Sequence, residues 1–178
     1  MSFLANLQLM SQYNQWMNKK IYQAALNLND EEIKRDRGCF FGSIFGTLSH
    51  IYVADIIWLR RFALHSRQYQ NLERVPELES YTDLRAIVTE RLENLFVLRQ
   101  ELDRIIINWC REIEPVDLEQ IFQYTDTKNN PYRKNFGQLV QHFFNHQTHH
   151  RGQVSTLFSQ QEIDIGVTDL LKIIPDVS

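Results

Sequence analysis

Apolar residues recur three or four positions apart along four long stretches of the chain, which is the spacing of one face of an α-helix. The first stretch covers about residues 3–28, and the second begins near Ser43, a residue type that caps helix N-termini. The third is predicted to begin at the capping-box-like run 80–83 and to carry its apolar stripe over residues 84–109. The fourth covers about residues 135–160.

The pattern changes between the third and fourth stretches. Residues 118–124 favour a short strand, the run TKNNP at 127–131 is typical of a turn, and residues 132–136 could return antiparallel. The sequence therefore predicts a β-hairpin or an extended loop before the last long helix.

Four amphipathic helices must bury their apolar faces against one another, and a four-helix bundle is the simplest arrangement that does so. Residues 65–79 hold no long apolar run and are predicted as a connection long enough for a crossover. The tail at 166–175 is apolar enough to pack back on the bundle. We therefore expect one all-α domain over residues 1–178.

Composition removes several classes of function. With 19 Lys and Arg against 22 Asp and Glu, the net charge of −3 gives no electrostatic basis for binding nucleic acid. No apolar run approaches the ~18 residues that span a bilayer, so no membrane partner is expected. The N-terminus has no basic start and no small-residue cleavage site, which predicts a cytoplasmic protein. Cys39 and Cys110 are expected to be reduced, packed thiols, although one bridge between them stays open.

Four of the six histidines lie within nine residues of the fourth predicted helix, at His142, His146, His149 and His150. Residues four apart stand one turn above another, so His146 and His150 can reach one ion beside the helix. His142 lies one turn earlier on the same row, whereas His149 is turned roughly 100° away from His150. Both are expected to support the site or to face solvent.

The position of the pair matters as much as its spacing, because His146 and His150 replace core residues on the apolar stripe. Unpartnered imidazoles in a core cost roughly 1–3 kcal/mol for each unsatisfied group. A bound cation would remove part of that cost, which favours a metal site. The alternative is a pair of core histidines satisfied by Asn14, Gln153 or a buried water.

His50, beside the apolar stripe of the second helix, is the best candidate for a third ligand, whereas His65 is predicted to be solvated among arginines. Three histidines leave a coordination position open, as catalytic metal sites do. Neutral imidazoles suit Zn, Ni, Cu or Fe, and the lack of thiolates and clustered carboxylates argues against Mg and Ca.

Three further polar residues could support such a site. Asn14 fills a polar position in the first apolar stripe, where it could hydrogen-bond the site or set helix register, and His149 and Gln153 lie next to the ligand pair. Gln147 stands where a zinc protease would carry its general base, so the helix does not match that motif. No catalytic base is identified; His149, His142 or Asp55 could serve only if the fold brings them close.

Several blocks resemble the DinB-like proteins, also called DinB/YfiT-like metalloenzymes. The segment 143–153, FFNHQTHHRGQ, resembles the signature of their last long helix, and residues 13–18, 40–59 and 166–171 are similar to further blocks in the same order. One departure is Ser49, where similar proteins often carry Asn before the histidine.

The resemblance implies a four-helix bundle with a long crossover, usually a homodimer, in which residues matching His50, His146 and His150 hold a divalent ion such as Ni or Zn. Related members include thiol-dependent S-transferases and isomerases that use low-molecular-weight thiols.

Three functions stay open from the sequence. The first is a metal-dependent enzyme of the thiol-dependent S-transferase or hydrolase type, acting on a small molecule. The second is a non-catalytic, stress-related bundle in which the metal stabilises the fold. The third is a helical interaction module that holds no metal.

Overall fold

A computed structural model describes residues 2–176 and contains four long helices, two short ones and one β-hairpin. Residues 1, 177 and 178 of the predicted 1–178 domain lie outside the described part. In chain order the elements are α1 (Phe3–Ala25), α2 (Asp30–Lys34), α3 (Ile44–Phe62), α4 (Leu92–Glu112), α5 (Pro115–Leu118), β1 (Ile121–Thr125), β2 (Pro131–Asn135) and α6 (Phe136–Ser159), with 3₁₀ turns at Gln70–Leu72, Val75–Glu77 and Leu170–Ile173.

The predicted four-helix bundle is confirmed. Helix α1 packs against α4 and α6, and α3 packs against α6 and α4. The apolar faces of these helices form one buried core around Trp109, Phe62 and Phe143. The connection from α3 to α4 covers residues 63–91 and is the long crossover.

The β-hairpin is confirmed as well. Strands β1 and β2 pair antiparallel, with Gln123 opposite Arg133. Phe122 is the buried residue of β1 and lies against the core, which fixes the hairpin to the end of the bundle. Asn135 then caps α6 by accepting a hydrogen bond from the backbone N–H of Gln138 at 2.9 Å.

The predicted start of the third helix is wrong, because α4 begins at Leu92 and residues 80–90 are irregular. The Asp83 carboxylate accepts from the backbone N–H of Arg85, two residues on, which forms a local turn instead of a helix cap. The carbonyl of Leu84 accepts a hydrogen bond from a side chain of α3, so it is not given to a helical turn. Val88 and Thr89 are β-branched and add little helix propensity.

The C-terminal tail packs on α1 as predicted. The Tyr13 hydroxyl donates to the carbonyl of Thr168 at 2.6 Å, and Leu170 and Ile173 pack against the core. Among residues 2–176, no helix combines the length and the apolar character needed to cross a bilayer.

Candidate metal centre

Helices α3 and α6 run antiparallel, and their contact brings His50 against the histidine pair of α6. Trp58, two turns after His50, meets His142 on α6, which precedes the pair. The Nε2 atom of His50 lies 3.3 Å from that of His146 and 3.2 Å from that of His150. The two α6 Nε2 atoms are 3.1 Å apart. Three imidazole nitrogens therefore converge on one point between the helices.

The outer nitrogen of two of these rings is engaged by an oxygen. His50 donates its Nδ1–H to the backbone carbonyl of Leu84 at 2.9 Å, and His150 donates its Nδ1–H to Oε1 of Gln153 at 2.8 Å. Since a neutral imidazole carries one proton, both rings present an unprotonated Nε2 to the centre. No hydrogen bond can form between these two nitrogens, and a proton on Nε2 of His146 could satisfy only one of them.

Burial keeps the three rings neutral. It lowers the pKa of His50 to about 4 and that of His146 to about 3, from an ordinary 6.5. The pKa of His150 is lowered for the same reason, although its hydrogen bond to Gln153 opposes the shift. All three side chains thus keep lone pairs available at neutral pH.

The donor set fits a transition-metal ion. Two nitrogens bound at about 2.05 Å to a tetrahedral zinc ion are about 3.3 Å apart, close to the separations found between these three Nε2 atoms. The unprotonated Nε2 atoms of His50 and His150 face each other at 3.2 Å, so their lone pairs repel one another, and a cation between them removes that repulsion. His50, His146 and His150 could therefore hold a metal ion.

The structure places the predicted supporting residues in different surroundings. Gln153 joins two histidines, because its Oε1 accepts from His150 and its Nε2 lies 3.3 Å from Nε2 of the exposed His149. Asn14 points elsewhere: its side chain donates to Asp103 at 3.0 Å and accepts from Arg151 in the interior.

The prediction that His65 is solvated is wrong. Its side chain is buried, with its ring centroid 4.4 Å from that of Phe136 and 5.2 Å from that of Tyr69. The chain turns back after α3 and the hairpin covers this end, so His65 packs as an aromatic group just beyond the C-terminal end of α3, about four helical turns from His50.

Two contacts of the cluster were not predicted. The Leu84 carbonyl is a backbone group, so its residue type carries no signal of its role. Phe41, in the loop before α3, lies against both His50 and His150. Its position in a loop, outside any helical periodicity, gave no indication of that contact.

Comparison with known protein families gave a match over almost the whole chain. The model of the DinB family matches residues 1–168. The chain belongs to the DinB family. The match covers all four long helices and the three clustered histidines, and it confirms the resemblance seen in the sequence.

A named DinB-family relative supports the assignment along most of the chain. Protein DinB of Bacillus subtilis (strain 168) is 26% identical over 158 residues, which cover 89% of this chain and 87% of the relative. No solved structure gave a significant match.

Proposed function

We propose that this DinB-family protein is a metal-dependent enzyme. It binds one divalent transition-metal ion, Ni or Zn, through the Nε2 atoms of His50, His146 and His150, and the bound ion takes part in catalysis. The observation that carries the proposal is the convergence of these three nitrogens within 3.1–3.3 Å while the outer nitrogens of two rings donate to oxygens.

A divalent ion held by three neutral ligands supplies a positive charge that lowers the pKa of a water or a thiol bound to it. The chain's own residues orient two of the rings, since Leu84 accepts from His50 and Gln153 accepts from His150, and Phe41 covers one side of the same two rings. The three ligands leave a coordination position for a substrate.

Within the described part of the chain, the surroundings lack the free carboxylate base that a zinc protease uses for peptide hydrolysis. Asp55, the one carboxylate considered as a base, is buried and bonded to Arg99 and Gln147, so it is not free to take a proton from a substrate. The fold does bring His149 and His142 beside the cluster, with ring centroids 4.8 Å from His150 and 6.1 Å from His146, respectively, so either ring is placed to take the proton that a metal-bound thiol loses. We therefore propose a low-molecular-weight thiol as one substrate and a small electrophile as the other.

The metal is tested by elemental analysis of protein purified without a His-tag or nickel column. We expect about one Ni or Zn per chain in the wild type, and loss of that metal in the His50→Ala, His146→Ala and His150→Ala variants. Wild-type protein free of transition metal after purification and after incubation with Zn or Ni would end the proposal.

The reaction is tested by turnover of a small electrophile with bacillithiol, mycothiol, glutathione or cysteine, using metal-loaded protein. We expect thiol-dependent turnover that the His146→Ala variant lacks. Metal-loaded protein that is inert with every thiol, and with ester and amide panels, would leave metal binding in place and remove the enzyme.

One observation favours the non-catalytic alternative. Five of the surface cavities that the described residues form, of about 130–560 Å³, are lined by other residues and not by the three histidines. In that alternative the ion couples α3 to α6 and stabilises the bundle. It predicts a large fall in melting temperature on metal removal and no turnover with any of the thiols above. The homodimer and the cytoplasmic location stay predictions.

A further inference from the structure

A chain of buried polar contacts lies beside the histidine cluster and joins three helices. Gln147, the residue after His146 on α6, donates from Nε2 to Oδ2 of Asp55 on α3 at 2.8 Å. The same carboxylate oxygen accepts from Nη1 of Arg99 on α4 at 2.5 Å. Gln147 is 0% exposed, and Asp55 and Arg99 are each 1% exposed. The metal-binding proposal gives these three residues no task.

The contact between Gln147 and Asp55 spans the same two helices as the histidine cluster. Asp55 follows His50 by five residues on α3, and Gln147 is adjacent to His146 on α6. The two contacts are thus little more than one helical turn apart, on neighbouring faces of one interface. A shift of α6 along α3 that separated His50 from His146 would also break this hydrogen bond.

The aromatic contacts between α3 and α6 tolerate small displacements. Phe62 meets Phe143 edge-on with centroids 6.0 Å apart, a contact that changes little when one ring slides by a fraction of an ångström. A hydrogen bond to a carboxylate weakens steeply with distance and angle, and in a dry interior no water replaces it. Gln147 and Asp55 are therefore suited to define the relative position of the two helices.

We propose that Gln147 and Asp55 are positioning residues for the metal site, and that Arg99 supports them from α4 by holding the Asp55 carboxylate. This inference rests on the proposed metal binding by His50, His146 and His150. It adds that a residue on a helix with no metal ligand acts on the site, by fixing the position of α3 against α6.

Arg151 provides a matched comparison on the same helix. It is buried and lies one turn after Gln147, but its guanidinium donates to Asn14 and Asn18, both on α1, which reach Arg99 only through a further residue, Asp103. Helix α1 carries none of the three clustered histidines. Removal of the Arg151 side chain should loosen the bundle without changing the position of α3 against α6.

The experiment measures Zn affinity by competition with a chromophoric chelator, and the absorption spectrum of the Co(II)-loaded protein. Gln147→Met keeps the length of the side chain and removes the hydrogen bond to Asp55. Since Oε1 of Gln147 has no hydrogen-bond partner among the described residues, the substitution also removes an unsatisfied acceptor and should change the stability of the metal-free protein little. We expect Zn affinity to fall by about 10-fold to 100-fold and the Co(II) spectrum to shift.

Two variants of Asp55 test the same bond from the other helix. Asp55→Leu removes the acceptor and should weaken Zn binding as Gln147→Met does. Asp55→Asn retains an oxygen that accepts from Gln147, so it should keep the affinity and the spectrum even though the lost charge lowers stability. These variants also test the inference if Gln147→Met does not fold.

Arg151→Met is the control and should keep the Zn affinity and the Co(II) spectrum of the wild type while lowering stability. Unchanged affinity in both Gln147→Met and Asp55→Leu would overturn the inference and leave the metal site intact. An equal loss in Arg151→Met would overturn it too, because affinity would then follow general stability. If the wild type binds no Zn or Co(II), the proposed function itself fails and the inference fails with it.

Discussion

The imidazole of His50 lies flat against the ring of Phe41, with centroids 3.7 Å apart and ring planes 17° apart. Phe41 belongs to a tight turn closed by a bridge between Cys39 and Gly42, and Gly42 has a φ of +76°, which favours glycine. The same phenyl ring meets His150 edge-on at 5.5 Å. The loop before α3 therefore fixes the plane of one histidine and covers a second.

This stack predicts that Phe41→Leu weakens metal binding. Leucine keeps much of the apolar volume but has no flat face for His50, so the ring gains rotational freedom. We expect about a tenfold loss of Zn affinity with the fold retained, as measured by chelator competition.

Phe40→Leu is the matched control for that variant, since Phe40 is 69% exposed and its ring meets the edge of Phe41 at 4.8 Å, so the substitution leaves the face of Phe41 against His50 in place. It should bind Zn as the wild type does. An equal loss in the two variants would show that the stack on His50 is not responsible.

The approach of the Phe41 loop to α3 predicts that Gly46→Ala is destabilising. A Cβ at Gly46 would lie 2.2 Å from the backbone oxygen of Phe41, so the loop would have to move. We expect a loss of about 1–3 kcal/mol in the free energy of unfolding of the metal-free protein, measured by urea denaturation. Weaker Zn binding should accompany it, because the loop carries Phe41.

Gly152→Ala is the corresponding control on α6, because nothing lies within 4 Å of a Cβ at that position. It should stabilise the protein by roughly 0.5–1 kcal/mol, as an alanine does in a helix interior. Destabilisation by both substitutions would contradict the proposed steric cause.

The pKa shifts of the cluster predict how the stability of the metal-free protein depends on pH. Burial lowers the pKa of His146 to about 3 and that of His50 to about 4 from 6.5. The unfolded chain therefore binds protons first as the pH falls, and the folded state loses stability from about pH 6.5 down to about pH 4 through His50 and about pH 3 through His146. Above pH 6.5 both states are neutral at these rings, and this contribution is fully present.

Comparing the wild type with the His146→Gln variant isolates the contribution of the His146 ring to the pH dependence from that of the other titrating groups. In the presence of a chelator, the unfolding free energy of the wild type should fall more steeply than that of the variant as the pH is lowered below 6.5. The difference in slope should reach up to about 1.4 kcal/mol per pH unit for one proton. Parallel curves for the two proteins would contradict the lowered pKa of His146.

Metal binding predicts stabilisation that follows the free ion concentration. At about 1,000 times the dissociation constant, the ion should add about 4 kcal/mol to the unfolding free energy. Thermal melts with and without chelator should show the difference in the wild type and not in His146→Ala. A wild type that melts at the same temperature in both conditions would contradict the prediction.

His65→Phe tests whether the metal-dependent stabilisation belongs to the three clustered histidines or depends on a histidine outside the cluster. His65 is buried among aromatic rings, and its Nε2 has no hydrogen-bond partner among the described residues. The phenylalanine variant should keep the metal-dependent melting shift of the wild type. Loss of the shift would show that His65 contributes to the site.

The helices and the histidine pair could be predicted because both depend on local periodicity. The fourth predicted helix, residues 135–160, agrees with α6 to within one residue at each end, and the first, 3–28, agrees with α1 except for its last turn. The start of α4 could not be predicted in the same way. Leu84 and Val88 precede Leu92 at helical spacing and therefore predict an earlier start. In the structure the Leu84 carbonyl accepts a hydrogen bond from His50 instead of one within a helical turn.

The sequence by itself determined that His146 and His150 lie one turn apart on a core-facing side of one helix, because 3.6 residues per turn allow no other placement. Only the tertiary structure decided that His50, 96 residues before His146, joins them, that Leu84 orients its ring and that Asp55 faces Gln147 instead of the site. The reason is that contacts between helices depend on how side chains interlock across the core, and loops such as residues 80–90 take their shape from the surface they cover.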